Sequence, residues 1–181
     1  MRMNQEGSKS AIDILNTYSQ SELQEVLSRY GEVRNAKTVA QAISAERRIR
    51  PIQTSGQLLQ ILGPLIRGQR NRYLAQVFQA FRIEVNDEIN SLKTFLQEAV
   101  EVLKPEGRLV IISYHSLEDR LVKRFFKSGN FKGEIEKDFY GNILTPMKVI
   151  SRKPIVPTTE EITRNAKARS AKMRIAEKLI D

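Results

Sequence analysis

Between Gly107 and Lys123 the chain reads Gly-Arg-Leu-Val-Ile-Ile-Ser-Tyr-His-Ser-Leu-Glu-Asp-Arg-Leu-Val-Lys, a strand, a turn and a helix start in one short stretch. Leu109 to Ile112 is an unbroken aliphatic run, the pattern of a central strand in a parallel sheet with helices over both faces. Ser116 reads as an N-cap, with Asp119 three residues on completing a variant of the capping box. A helix then follows, because Leu117, Leu121, Val122, Phe125 and Phe126 share one face while Arg120, Lys123, Arg124 and Lys127 cover the other. The fold class is therefore α/β. Open α/β sheets place their ligand crevice at the carboxyl ends of strands, so Ser113, Tyr114, His115 and Ser116 are the first candidates for a catalytic site.

Upstream the signals are helical. Ser19 and Glu22 form a capping box before Leu23, Val26, Leu27 and Tyr30, and Gly31 suits the C′ stop. Ala36, Val39, Ala40 and Ile43 carry a second helix that ends before Pro51, and Leu58, Leu59, Ile61 and Leu62 a third before Gly63-Pro64. Residues 1–66 read as a small all-α lobe and residues 67–181 as the α/β part, with 127–147 a loop. From about Asn71 to Leu103 the apolar spacing stays helical, and whether Asn86 caps a new helix is open. Lys148 to Ser151 reads as a weak strand. Lys172 and Arg174 alternate with Met173 and Ile175 as in an edge strand, with helix nearly as good a fit.

Charge points to a polyanionic partner. Thirty Lys and Arg against 21 Asp and Glu give a net charge of +9 over 181 residues. The excess clusters at Arg47, Arg48 and Arg50, at Arg67, Arg70 and Arg72, along the Arg120 to Lys127 helix face, and from Arg164 to Arg174. Such clusters suit phosphate contacts, although a solvated basic surface gives the same pattern. With no cysteine and one histidine, no metal site is expected. There is no apolar stretch long enough for a signal peptide or membrane span, so the expected compartment is the cytoplasm.

The strand-turn-helix stretch resembles the signature of the bacterial small-subunit 16S rRNA cytosine-N4 methyltransferases, the RsmH or MraW family. Other segments resemble that family in the same order. Met1-Arg2-Met3 is similar to its M-R-M segment, with Asn4 in place of the expected Asp. Tyr30-Gly31-Glu32 with Arg34, Ala36 and Lys37 resembles Y-G-E-x-R-x-A-K, and Phe78 to Ile83 with Val85, Asn86 and Glu88 resembles F-Q-A-[LF]-R-I-x-V-N-x-E. Asn165, Ala168-Arg169-Ser170 and Arg174 are similar to the N-P-R-A-R-S tail, with Ala166 and Lys167 replacing its Pro-Arg.

The resemblance implies the carboxyl-terminal part of a class I, Rossmann-like S-adenosylmethionine-dependent methyltransferase fold, with the all-α lobe as an insertion. It implies methylation of the N4 amine of a cytosine in the decoding region of 16S rRNA. It also implies that family members are longer and hold S-adenosylmethionine in an amino-terminal half; the nine glycines here include no G-x-G pair, so no cofactor-binding residue is expected in this chain. The chain is thus expected to be a fragment, inactive alone, with 16S rRNA or the small ribosomal subunit as partner. The alternative is a non-catalytic stand-alone RNA-binding module.

For the site residues the alternatives stay open. Tyr114 either stacks on a base or packs between sheet and helix. His115 touches the amine or a phosphate, or is a hydrogen-bonded structural residue. Glu118 and Asp119 read equally as helix-start carboxylates. Arg120, Lys123, Arg124, Arg169 and Ser170 are the RNA-binding candidates; Arg120 has the option of pairing with an acid instead, and Arg169 and Ser170 that of capping the last strand. Arg82 and Asn86 suggest a buried polar tie.

Overall fold

The computed structural model describes residues 9–141 and 143–180. The Met1-Arg2-Met3 motif lies outside them. Two compact units, Met1–Glu88 and Ile89–Asp181, make up the chain.

In the first unit, short helices form wherever a side chain caps the amino end and a small apolar stripe follows. α1 (Ala11–Thr17), α2 (Gln20–Arg29) and α4 (Ser55–Leu62) each start in a reciprocal capping box, from Ser10 with Asp13, Ser19 with Glu22 and Thr54 with Gln57. α3 (Ala36–Ile49) carries Arg47 and Arg48 in its last turn, where cations favour the helix dipole. α5 (Arg70–Asn86) is the longest of the five. Ile14, Leu23, Leu27, Val39, Ile43, Leu62, Val77 and Phe81 form the core between these helices. Each fully buried aliphatic or aromatic side chain contributes about 1.5–3 kcal/mol. Asn86 caps no new helix: its side-chain amide donates back to the Arg82 carbonyl at 2.8 Å, and Asp87, with left-handed backbone (φ 49°), ends α5.

Gly31 does follow the end of α2, but not as a left-handed stop. Positive φ falls on the next residue, Glu32 (φ 51°). Gly31 is buried where a Cβ would lie 2.6 Å from the Gln76 carbonyl oxygen of α5 and 2.9 Å from that of Leu27. Its missing side chain lets the two backbones meet.

The second unit holds most of α6 (Glu88–Val102), then β1 (Arg108–Ser113), α7 (Ser116–Ser128), β2 (Met147–Val149), α8 (Thr159–Arg164) and β3 (Lys172–Lys178). After α7, Gly129 adopts φ 70° as its cap, and among the described residues the chain to Pro146 forms no helix or longer strand, its strand pairing being the isolated bridge of Lys137 with Ile143. The three strands form one sheet in the order β1-β3-β2, and both pairings are antiparallel. Leu109, Ile111, Met147, Val149 and Ala176 face a core with Leu96 of α6 and Val122, Phe125 and Phe126 of α7.

Two expectations change here. Among the described residues β1 is an outer strand beside an antiparallel neighbour, not a central parallel one, and it is covered on one face only: Val110 and Ile112 are 51% and 54% exposed. An aliphatic run reads alike whether one face or both are covered, so periodicity could not separate the cases. β3 is a strand, but the middle one. Arg174, the polar half of the expected edge-strand alternation, is 6% exposed on the helix-facing side. No helix among the described residues is long and apolar enough to cross a membrane.

Gly31→Ala is expected to lose about 2 kcal/mol, because the clashing atoms are backbone and cannot move aside. Gly63→Ala, whose Cβ meets nothing within 4 Å on helical backbone (φ −46°), should be neutral or slightly stabilising. Urea unfolding of the two variants checks this contrast.

Candidate functional site

The turn from β1 into α7 is built by side chains that satisfy its backbone. His115, not Ser116, is the N-cap: its Nδ1 accepts from the Glu118 backbone N–H at 3.4 Å, and Ser116 is the first helical residue. Glu118 closes the turn in return, accepting from the Tyr114 backbone N–H through Oε2 at 3.2 Å. An imidazole nitrogen does here what a hydroxyl does in an ordinary capping box. His115 Nε2 lies 3.1 Å from Glu118 Oε1, without hydrogen-bond alignment. The ring is largely buried and structurally employed.

Asp119 points the other way, into the second unit. Its carboxylate accepts from Arg174 Nε at 2.6 Å and Nη2 at 3.1 Å, a bidentate pair closed off from solvent, and Lys172 Nζ stands 3.7 Å away. Burial works against the charged carboxylate, but the hydrogen bonds and charge of Arg174, with Lys172, outweigh it and hold Asp119 below its ordinary value near 3.8. The pair fastens the first turn of α7 to the middle strand.

This fastening sets where the candidates lie. Register pairs Ser113 with Lys172, and Ser113 Oγ donates to the Lys172 carbonyl at 3.4 Å. Antiparallel pairing thus brings the carboxyl end of β1 beside the start of β3, so Ser113–Ser116 and Arg169–Ser170 share one end of the sheet. Ser113 is buried, Ser116 is exposed, and Tyr114 is 58% exposed rather than packed between sheet and helix. Arg169 and Ser170 are exposed in a 3₁₀ turn (Ala166–Ser170) that Asn165 caps through its side chain. Arg120, Lys123 and Arg124 form an exposed stripe along α7.

Two ties escaped the sequence reading. Asp119 and Arg174 stand 55 positions apart, and no local pattern pairs them. Glu88 takes both Arg82 guanidinium contacts, at 2.9 and 3.0 Å, and the Asn86 amide donates to the Arg82 carbonyl at 2.8 Å and to Glu88 Oε1 at 3.4 Å. Having Arg82, Asn86 and Glu88 in one motif was the available signal.

The β1–α7 turn does not fit an S-adenosylmethionine site. The α7 amino terminus is taken by its own caps, and no glycine lies between Ser113 and Ser116 to let a ligand approach the backbone.

Comparison with known proteins gives a family. A family model described as the MraW methylase family matches residues 1–179. The chain is 52% identical over 180 residues to "Ribosomal RNA small subunit methyltransferase H" of Azobacteroides pseudotrichonymphae genomovar. CFP2, covering 99% of this chain and 59% of that protein. The protein of the same name from Amoebophilus asiaticus (strain 5a2) is 51% identical over 179 residues, 98% of this chain and 58% of its own length. That of Cytophaga hutchinsonii is 52% identical over 98% of this chain and 60% of its own length. The chain thus spans 58–60% of the length of these relatives.

Asp119→Asn is expected to cost about 3 kcal/mol, since it leaves Arg174 buried without a counter-charge. The folded carboxylate titrates below its unfolded value, so the pair's contribution is complete above about pH 4 and is lost as pH falls through the folded value. Chemical denaturation over a pH series should therefore show a steeper acid limb for the native chain than for Asp119→Asn.

Proposed function

The chain belongs to the MraW methylase family, and from that premise we propose that it takes part in methylating the N4 amine of a cytosine in the decoding region of 16S rRNA. Its mixture of helices and a small sheet agrees with the α/β, class I methyltransferase character of that family. The methyl donor is S-adenosylmethionine, held by a part of the protein that this chain does not contain. The all-α lobe over residues 1–66 is an insertion in that fold, and the protein works in the cytoplasm on 16S rRNA or the small subunit.

One observation carries this reading. The Ser113–Lys172 register gathers an exposed aromatic, Tyr114, and the exposed Arg169–Ser170 segment at the strand end where ligands of α/β proteins bind. A cytosine amine is a weak nucleophile because its lone pair is delocalised into the ring, so the protein's task is to expose the base and fix its orientation. Tyr114 offers a stacking face worth on the order of 1 to 3 kcal/mol. His115 and Glu118 hold the backbone that presents it, and Ser116 stands beside it as a polar contact for the base edge. Arg120, Lys123, Arg124 and Arg169 meet the phosphates. The +9 net charge supports a nucleic-acid partner.

The test joins this chain to the remaining portion of the Azobacteroides relative and incubates the fusion with small subunits and S-adenosylmethionine, with nucleoside mass spectrometry of the rRNA. N4-methylcytidine is the expected product. A fusion that binds rRNA yet transfers nothing, while the intact relative is active, would favour the non-catalytic reading. In an active fusion Tyr114→Ala should reduce transfer roughly 10-fold or more, with thermal stability unchanged because the ring is exposed.

A further inference from the structure

We propose that the first unit carries a docking site for the phosphodiester groups of RNA, formed by Arg34, Arg67 and Arg72 around a cavity of about 390 Å³. The site lies in the first unit and shares no residue with the β1–α7 turn. The assignment rests on the reading that the substrate is RNA, and deepens it.

The cavity is bounded by the loop before α3, which supplies Arg34, by Arg67 and Gly68 after the short 3₁₀ turn (Gly63–Leu65), and by the first turn of α5, which supplies Arg72. Its floor is fixed. Tyr73, buried, donates its hydroxyl to Asn35 Oδ1 at 3.0 Å, and the Asn35 amide donates to the Leu65 carbonyl at 2.9 Å. One hydrogen-bonded chain thus ties all three walls together, so a ligand would meet a site already shaped for it.

Three guanidiniums against the single carboxylate of Glu32 leave two positive charges in excess around the cavity. None of the three arginines forms an ion pair or side-chain hydrogen bond among the described residues, whereas Arg29, Arg50, Arg82, Arg108 and Arg174 all do. Among the described lining residues Glu32 carries the single negative charge. α5 has no acid in its first turn, Gln69 gives its amino end no side-chain cap, and Arg70 and Arg72 add positive charge where the helix dipole is already positive. Backbone in the left-handed region flanks the cavity on both sides, at Glu32 (φ 51°) and Gly68 (φ 76°). A phosphodiester satisfies these features together, with guanidinium forks matched to its two free oxygens.

The test measures binding of the full chain to a fluorescein-labelled single-stranded fragment of the 16S decoding region by anisotropy across a series of salt concentrations. It compares the native chain with Arg34→Gln/Arg67→Gln/Arg72→Gln and with a control losing the same charge elsewhere, Lys104→Gln/Arg152→Gln/Lys153→Gln. The cavity variant is expected to bind roughly 10-fold or more weakly, with a salt slope shallower by about 2, since each lost single-strand phosphate contact removes about 0.7. The control should shift affinity by less than about threefold, its charges being screened. Equal losses in the two variants would overturn the proposal while leaving RNA as the substrate. A native chain that does not bind the fragment would overturn both. Should the triple variant melt early, Arg67→Gln alone, with an expected slope change of about 0.7, decides the question.

Discussion

The geometry at the sheet end depends on one buried ion pair. Asp119 and Arg174 meet in bidentate geometry between the first turn of α7 and the middle strand. Arg174 cannot turn to solvent without leaving a carboxylate buried beneath α7, so the helix start and β3 are held in one relation. β3 in turn sets the register of β1, and the Ser113–Lys172 pairing delivers Tyr114, His115 and Ser116 to the strand end where Arg169 and Ser170 also emerge. The pair adds little net stability compared with an apolar replacement of equal volume. What it supplies is position.

Much of this was legible in the sequence. Helices bounded by strong local signals could be read directly: Ser19 with Glu22, Pro51 after the second apolar stripe, Gly63-Pro64 after the third. The β1 strand and the α7 helix were legible for the same reason, since an aliphatic run and a two-faced stripe are local facts. What could not be read depends on contacts across the chain. Gly31 reads as a helix stop but serves a close approach to α5, which only the packing reveals. Arg174 reads as half of a polar alternation but points into the unit, because its partner lies 55 positions away. The cap moved from Ser116 to His115 because an imidazole can accept from a backbone N–H as well as a hydroxyl can, an equivalence that propensity rules underweight.

The site candidates separate by burial. Ser113 and His115 are employed in holding the turn. Tyr114, Ser116, Arg120, Lys123, Arg124, Arg169 and Ser170 face outward. That division suits the proposed RNA substrate: buried groups set the frame, and exposed aromatic and basic groups are left to contact it. Arg34, Arg67 and Arg72 line a basic cavity in the first unit.

The most direct measurement of the central claim is ultraviolet crosslinking of the protein to small ribosomal subunits, with the joined peptide and nucleotide identified by mass spectrometry. The account predicts a crosslink between the peptide containing Tyr114 and a cytosine of the decoding region, lost in Tyr114→Ala. Crosslinks confined to other surfaces, with the Tyr114 peptide recovered unmodified from a subunit-bound protein, would contradict it.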